Sequence, residues 1–281
     1  GTPRDLLLGG RVVQADGTVT WGGARVVKSV SGYDVPKLMV GSLGTLGVLV
    51  EATLRLHPVP QAERTWVVTF PTAGRAAGLL AAILDSSFQP NRLEILSGTA
   101  AAGRSAGDAA VAVSFGSVPE AVSAQGEDLV AIARGEGGRV ATAEEDFWSR
   151  PWGFLADPTV LLKVAAPPSE AAALCGEIQR LATEIGMAAG ILGEAGNGVL
   201  HVALRGTLSA AEWESRVIGR LRARVAPAGG SVVVERAPRE VKERLDVWGP
   251  VEPATLALMK RLKSEFDPLG TLNPGRYVDR I

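Results

Sequence analysis

A glycine-rich segment, residues 41–47, has the residue types and spacing best suited to chemistry in this sequence. It reads Gly41-Ser42-Leu43-Gly44-Thr45-Leu46-Gly47, with glycines three residues apart. Successive free N–H groups in such a backbone can form a concave site for phosphate oxygens. No Gly-Lys-Ser/Thr ends the segment, and a strand rather than a helix follows it, so it is neither a P-loop nor a Rossmann fingerprint. Two interpretations stay open: a nucleotide along the start of a strand, or a tight glycine turn without a ligand.

The composition excludes several other kinds of site. Of 281 residues, 29 are basic and 30 acidic, and this net charge of −1 argues against a dedicated nucleic-acid binder. The one cysteine, Cys175, allows neither an internal disulfide nor a cysteine-based metal cluster, and we expect a buried structural thiol. With only His57 and His201, a metal site built mainly of imidazoles is nearly excluded. No apolar run approaches the roughly 20 residues that span a bilayer, and no leader-like segment opens the sequence, so we expect no direct membrane span.

The residues before position 60 predict a small sheet. Residues 5–21 are typical of a β-hairpin, because two apolar stretches flank Ala15-Asp16-Gly17, a turn signal in which glycine supplies positive φ. Residues 22–47 show no clear period and are interpreted as loop with short helical pieces. Residues 48–57 alternate between two faces and therefore predict a strand.

After Pro58 and Pro60, which are typical of a domain border, the pattern changes and then repeats. Apolar periodicity predicts the order β-α-β-β-α-β twice, and hence an α+β fold with two ferredoxin-like units in tandem. The first copy comprises strands 65–70, 92–96, 110–115 and 139–141 and helices 72–86 and 119–134. The second copy comprises strands 159–164, 188–192, 199–204 and 231–234 and helices 169–185 and 209–225. Ser169 with Glu170 is expected to form the N-terminal cap of helix 169–185.

The end of the chain predicts a last helix and a turn. Residues 253–266 place Leu256, Met259, Leu262 and Phe266 on one stripe. Asp267-Pro268-Leu269-Gly270 ends that helix, and Asn273-Pro274-Gly275-Arg276 predicts a turn with a glycine that tolerates positive φ.

Taken together, three stretches resemble a known family. Residues 28–38, which read Lys-Ser-Val-Ser-Gly-Tyr-Asp-Val-Pro-Lys-Leu, are followed by the glycine-rich segment and by strand 48–58. This order is similar to the second part of the FAD-binding domain of the vanillyl-alcohol-oxidase-like flavoproteins, in particular the glycolate-oxidase FAD-binding subunits, with Ser29 in place of the usual Asn. The tail from Phe266 to Arg276 resembles the family's closing motif F-D-P-x-G-x-L-N-P-G-(K/R).

The resemblance implies a domain organisation and a cofactor. Residues 1–60 would be the second part of the FAD-binding domain, 61–252 the substrate-capping domain, and 253–281 a tail that returns to the FAD domain. The residues that would bind FAD are Lys28, Tyr33, Gly41, Ser42, Gly44, Thr45, Gly47, Val48 and Asn273. Of these, Tyr33 and Lys28 would lie near the isoalloxazine or pyrophosphate, and Asn273 near the flavin. The implied reaction transfers the Cα hydride of a small 2-hydroxy acid to FAD.

The resemblance also implies partners. They would be a second flavoprotein subunit and an iron–sulfur subunit that accepts the electrons, because this chain has no cysteine cluster of its own. The protein would be cytoplasmic, or peripheral at the inner membrane through these partners.

The chain departs from the family at the metal motif. Relatives carry H-x-G-D-G-N-x-H and a later E-H-G, whereas Glu194 stands here at the first histidine, His201 at the second, and Glu235-Arg236-Ala237 at the later motif. One histidine with two carboxylates could hold a metal in principle, but we expect no metal, or only a weakly bound one, with Asn197-Gly198 as a hairpin turn. His57 is expected on the surface.

Three residues are candidates for binding substrate, and no catalytic residue is assigned. A cation suits a carboxylate, and Arg150 lies where relatives have an Arg after an aromatic residue. Lys163 lies on a strand where this subunit often has Arg, and His201 is the third candidate.

The front of the chain also departs from the family. Arg4-Asp5-Leu6-Leu7-Leu8-Gly9 matches the opening of the second FAD subdomain, and nothing like the first precedes it. We therefore expect an incomplete cofactor site, through truncation or a split gene. Two alternatives to a catalytic subunit stay open: a non-catalytic structural subunit, and a stand-alone D-2-hydroxy-acid dehydrogenase.

Overall fold

The chain forms two compact units. The computed structural model describes residues 2–26, 32–101, 108–149 and 152–281. The first unit combines the segments Gly1–Val59 and Pro250–Ile281, and the second comprises Pro60–Gly249. In the described stretches, every helix is too short or too polar to cross a membrane.

The first unit is built on a three-stranded antiparallel sheet with the order β2-β1-β3. Its strands are β1 (Leu7–Val13), β2 (Val19–Gly23) and β3 (Val48–Leu54), and its helices are Pro3–Leu6, Val35–Met39 and Pro253–Phe266, with a 3₁₀ turn at Val278–Arg280. Val12, Met39 and Leu46 form its small core, against which Phe266 of the tail packs. The two segments of the chain therefore share one core.

The hairpin predicted in residues 5–21 is confirmed. β1 and β2 pair antiparallel, and the Asp16 carboxylate accepts hydrogen bonds from the Thr18 amide at 2.8 Å and the Thr18 hydroxyl at 2.9 Å. Gly17 has a φ of 85°, which a glycine adopts without strain.

Strand β3 is shorter than the predicted 48–57. It ends at Leu54 because its partner β1 begins at Leu7, and one further hydrogen bond joins the Arg55 amide to the Leu6 carbonyl at 2.8 Å. His57 lies beyond the strand and is exposed, as expected.

The second unit contains one eight-stranded antiparallel sheet with the order β11-β8-β10-β9-β5-β6-β4-β7. Its strands are β4 (Ala62–Phe70), β5 (Arg92–Gly98), β6 (Ala109–Ser117), β7 (Arg139–Thr142), β8 (Val160–Ala165), β9 (Ala188–Glu194), β10 (Val199–Arg205) and β11 (Ser231–Arg236). The first four strands form one half of the sheet and the last four the other. In the described residues, β5 with β9 is the one strand pair that joins the halves.

Helices cover one face of this sheet. The α-helices are Ala77–Leu84, Pro119–Gly135, Ala171–Glu184, Ala210–Glu212, Gly219–Val225 and Arg239–Arg244. The 3₁₀ turns of the second unit are Ala73–Ala76, Gly153–Leu155, Pro168–Glu170 and Ala226–Ala228. A π-helical stretch, Trp213–Ile218, connects the two short helices on either side of it. Leu129, Leu174 and Ile178 of the helices pack with Val111 and Leu200 of the sheet in the main core.

The bounds of two helices differ from those predicted. Helix 72–86 begins as the 3₁₀ turn and ends at Leu84, because the Ser86 hydroxyl donates to the Ile83 carbonyl at 2.7 Å and redirects the chain. The cap predicted at Ser169 is wrong: this residue lies inside a 3₁₀ turn closed by the Glu170 amide, and its side chain makes no cap bond to the helix that starts at Ala171.

Cys175 lies in the main core and is fully buried, so the expectation of a structural thiol is confirmed. Burial raises the pKa of the thiol to about 12. At neutral pH the side chain is therefore a small apolar group and not a nucleophile.

The opposite face of the sheet carries a second, smaller core and the 3₁₀ turn Gly153–Leu155; we call it the helix-free face because no α-helix of the described residues packs on it. Phe147, Trp148, Trp152 and Phe154 form a chain of edge-to-face aromatic contacts. Phe147 packs with Val67 and Leu96 of the sheet. Because successive side chains of a strand point to opposite faces, the strand residues between those of the main core project from this face.

The β9–β10 turn provides a stability prediction. Gly198 has a φ of 69°, and a Cβ there would overlap the Ala166 carbonyl oxygen. Gly186 has a nearly equal φ of 70° with open space around it. We expect Gly198→Ala to lower the free energy of unfolding by about 3 kcal/mol and Gly186→Ala by about 1 kcal/mol, measured by urea denaturation. Equal losses would show that backbone conformation alone, and not the close approach, requires Gly198.

Candidate functional site

The glycine-rich segment adopts a conformation that needs its glycines. Gly41 has a φ of 85° and Gly44 a φ of 74°, both in the left-handed region. A Cβ on Gly44 would lie 2.9 Å from Asn273 Nδ2, and a Cβ on Gly47 would lie 2.8 Å from Val12 Cγ1. The segment thus packs closely against both β1 and the tail.

Ser42 and Thr45 hold the segment together from inside. Thr45 is 1% exposed, and its amide and its hydroxyl both donate to the Ser42 carbonyl, at 3.0 and 2.8 Å. The N–H groups of Leu43 and Gly44, by contrast, find no acceptor among the described residues. These two amides are therefore available to an oxygen-rich ligand.

A buried ion pair ties the tail to this segment. Lys263 Nζ donates to the Thr45 carbonyl at 2.8 Å, to the Leu272 carbonyl at 2.9 Å and to Asp267 Oδ2 at 2.5 Å. The Asp267 carboxylate also accepts from the Leu272 amide at 2.7 Å and from the amide and hydroxyl of Thr271 at 3.0 Å. We call Lys263 and Asp267, with these bonds, the tail clamp.

The tail clamp sets the charge state of Asp267. Burial raises the pKa of this carboxyl, but the hydrogen bonds from Lys263, Leu272 and Thr271 lower it more, so that the net pKa is well below its usual range. The carboxylate therefore stays ionised at neutral pH and keeps its bond to Lys263.

Asn273 completes the arrangement. Its Nδ2 donates to the Leu43 carbonyl at 2.6 Å across 230 residues of sequence. Its φ of 39° is positive, a conformation that asparagine tolerates better than most residues.

A cavity of about 420 Å³ lies where these parts meet. Five predicted FAD-binding residues line it: Ser42, Gly44, Gly47, Val48 and Asn273. A second cavity of about 300 Å³ is lined by Gly41, Ser42 and Thr45 together with apolar residues of helix Pro253–Phe266. Tyr33 lines neither cavity and is 95% exposed, and Lys28 lies outside the described residues.

In the second unit, two of the predicted substrate residues are neighbours. His201 of β10 pairs with Lys163 of β8, and both project from the helix-free face of the sheet. Glu235 of β11 lies beside them, at a β-bulge between Val234 and Arg236, with Glu235 Oε2 at 3.5 Å from His201 Nδ1. Arg150 lies outside the described residues.

The charges of this group influence one another. The hydrogen bond from His201 lowers the pKa of Glu235 against the opposing effect of burial, and the charges of His201 and Lys163 lower it further. Among the described residues, no three acidic, histidine or cysteine side chains come close enough to hold a metal ion. Glu194, at the family's first histidine position, accepts a hydrogen bond from Asn197 Nδ2 at 2.9 Å.

Two features were missed from the sequence. The tail clamp left one signal, the four-residue spacing of Lys263 and Asp267 at the end of a helix. Contact between Glu235 and His201 did leave a signal, because both residues stand in the two parts of the family's metal motif.

Comparison with known proteins places the chain among flavoproteins. The family described as FAD linked oxidases, C-terminal domain, matches residues 59–277. Glycolate oxidase subunit GlcD of Bacillus subtilis is 28% identical over 98% of this chain and 64% of its own length. D-lactate dehydrogenase of Archaeoglobus fulgidus is 27% identical over 100% of this chain and 66% of its own length. A probable mitochondrial D-lactate dehydrogenase of Danio rerio is 30% identical over 99% of this chain and 61% of its own length.

Solved structures share the fold. 4-Ethylphenol oxidase of Gulosibacter chungangensis superposes with a TM-score of 0.66 at 17% identity, over 96% of this chain and 65% of that one. p-Cresol methylhydroxylase superposes with a TM-score of 0.65 at 17% identity, over 96% of this chain and 64% of that one. The chain thus spans about two thirds of the length of these proteins. It belongs to the FAD-linked oxidase family, through that family's C-terminal domain.

Proposed function

We propose that the chain is a subunit of an FAD-dependent oxidoreductase, similar to glycolate oxidase, that oxidises a small 2-hydroxy acid. The observation that carries this proposal is the cavity of the first unit, where the glycine-rich segment and Asn273 meet although 230 residues separate Leu43 from Asn273. Residues of the glycine-rich segment and of the tail motif thus line one space.

The residues present fit FAD. Gly44 and Gly47 line the cavity, and the amides of Leu43 and Gly44 are free donors among the described residues. The Leu43 carbonyl accepts a hydrogen bond from the Asn273 side chain and so fixes its position. When bound, FAD supplies the acceptor for the hydride of the 2-hydroxy acid. The chain supplies binding and orientation, for which the tail clamp holds the segment in place.

For the substrate we propose Lys163 and His201. The Lys163 ammonium would bind the carboxylate of the 2-hydroxy acid, and the His201 imidazole would accept the hydroxyl proton. Glu235, at 3.5 Å from His201, would stabilise the resulting imidazolium. Arg150 remains a prediction.

The second unit would be a cap of two ferredoxin-like repeats. Numbering the four strands of each half in chain order gives the same spatial order, 4-1-3-2, in β7-β4-β6-β5 and in β11-β8-β10-β9. This common order supports two copies of one βαββαβ unit.

The proposal includes partners. Electrons would leave through an iron–sulfur subunit, beside a second flavoprotein subunit, in a cytoplasmic complex or one held at the inner membrane by its partners. The word subunit in the name of the Bacillus relative supports an assembly.

Two alternatives have support of their own. Glu194 and Arg236 at histidine positions of the metal motif favour a non-catalytic structural subunit. D-lactate dehydrogenases among the relatives favour a D-2-hydroxy-acid dehydrogenase that acts alone.

The test is the visible spectrum of the protein purified with whatever subunits accompany it. We expect flavin absorption that bleaches without oxygen on addition of glycolate or D-lactate. A colourless assembly would overturn FAD binding, and flavin that no 2-hydroxy acid bleaches would favour the structural subunit.

Substrate binding is tested by Lys163→Met. Removing a charged partner of the carboxylate should raise KM by about 10- to 100-fold. Lys242→Met, on an exposed helix of the same unit, is the matched control and should leave KM unchanged. If both variants keep the wild-type KM, Lys163 does not bind the substrate.

A further inference from the structure

Two glutamates face each other where the halves of the large sheet join. We call the pairing of β5 with β9 the seam; in its register Glu94 lies opposite Glu194, and Leu96 opposite Leu192. Like charges at directly opposed positions of an antiparallel pair destabilise it. The seam thus places a potential repulsion at the one strand pair, among the described residues, that connects the halves.

Little around Glu94 stabilises its charge. Its Oε2 is buried and has no hydrogen-bond partner among the described residues. Ala112 is its neighbour on β6, the other adjacent strand. An ionised carboxylate that is buried and unpaired is costly, so such a group keeps its proton instead.

The surroundings of Glu94 hold few other charges. From its own strand, Arg92 acts on it, but this guanidinium stacks on the Trp148 ring at 4.9 Å. Glu194 acts from β9, with its own carboxylate held by Asn197. On the far side of β6, Glu63 of β4 accepts a hydrogen bond from Ser114 at 2.9 Å.

The balance of these effects favours the neutral form. Burial, and then the charge of Glu194, raise the pKa of Glu94 from 4.5 to about 8, against the opposing effect of Arg92. At neutral pH the folded chain therefore holds a proton on Glu94 that the unfolded chain has released.

We propose that Glu94 makes the seam a proton-dependent joint: the halves pair firmly while Glu94 is protonated, and its ionisation loosens β5 from β9. This inference concerns the second unit alone and is independent of flavin binding. It assigns a role to a buried carboxyl group that the proposed reaction does not use.

The direction of the pH effect follows from proton linkage. Between pH 4.5 and 8 the folded state binds a proton that the unfolded state lacks, so the stability due to this group falls as pH rises and levels off above about 8. Glu94→Gln mimics the protonated form at every pH. Relative to this variant, the unfolding constant of the wild-type second unit should rise by roughly 10²- to 10³-fold between pH 5 and pH 8.5.

The experiment is hydrogen exchange on the full chain, corrected for the intrinsic dependence on pH. In the wild type, we expect amides of residues 92–98 and 188–194 to lose protection at least tenfold between about pH 7 and pH 9.5, and to lose more protection than amides of β8 and β11. Glu94→Gln should abolish this loss. Glu127→Gln, on an exposed helix position, should leave it unchanged.

Two results would overturn the proposal. One is a loss of seam protection in Glu94→Gln equal to that of the wild type. Should Glu94→Gln fail to fold, Glu94→Leu takes its place, since it also removes the titrating carboxyl group; an undiminished loss of protection in that variant is the second contrary result.

Discussion

Lys263→Met should unfold the first unit well before the second. The variant removes the cation that binds the Thr45 and Leu272 carbonyls and leaves the buried Asp267 carboxylate without its ion-pair partner. Breaking a buried pair from one side is among the more damaging single changes. We expect the melting temperature of the first unit to fall by about 10 °C or more, measured by calorimetry, and flavin binding to be lost with it.

Lys260→Met is the matched control. Lys260 lies on the same helix, is mostly exposed and pairs at the surface with Asp279. Exposed pairs contribute little, so this variant should melt close to the wild type. The double variant Lys263→Met with Asp267→Leu should recover part of the lost stability, because no buried charge is then left unpaired. Equal melting temperatures for Lys263→Met and Lys260→Met would contradict the tail clamp.

The same clamp has a defined pH range. The pKa of Asp267 is lowered in the folded state, so its contribution is present above the unfolded value of 3.8 and is lost as pH falls through the lower folded value. Moving from pH 7 to pH 5 should therefore leave the clamp intact.

Gly44→Ala should weaken flavin binding about 100-fold. Alanine at a φ of 74° is strained, and its Cβ would press on Asn273 Nδ2, which donates to the Leu43 carbonyl. Displacing Asn273 would alter the cavity in which we propose that the flavin lies. Affinity is measured by titrating the purified apoprotein, with its accompanying subunits, with FAD and following flavin fluorescence.

Gly41→Ala separates strain from contact. Gly41 has a φ of 85°, but a Cβ there meets open space. This variant should lose about 1 kcal/mol of stability and change flavin affinity by less than about tenfold. If the two variants weaken flavin binding equally, the approach of Asn273 to Gly44 has no part in it.

Local features of this fold could be predicted from the sequence. The hairpin around Asp16 and Gly17 depends on neighbouring residues, and its turn was predicted for that reason. The order of strands and helices in the second unit followed from apolar periodicity, although the start of helix Ala171–Glu184 did not, since a 3₁₀ turn absorbs Ser169.

The return of the tail to the first unit was predicted through the family resemblance, but individual contacts between distant residues could not be predicted. Lys263 reaches Thr45 across 218 residues, and nothing in the helix sequence indicates that a carbonyl of the glycine-rich segment lies there. Glu94 opposes Glu194 only because β5 pairs with β9, a choice of neighbour that alternation within either strand leaves open. The 3.5 Å approach of Glu235 to His201 joins strands β11 and β10, which both pair with β8, and the pattern of neither strand indicates this shared neighbour.

The divided first unit has a consequence for how the protein is made. Its early segment ends at Val59 and its late segment starts at Pro250, so a ribosome synthesises the whole second unit between them. Until Lys263 and Asn273 emerge, the glycine-rich segment lacks the side chains that fix it. If the second unit folds as it emerges, the long connection becomes compact and closing it costs less chain entropy. The glycine-rich segment is therefore fixed late, after the whole second unit has been synthesised.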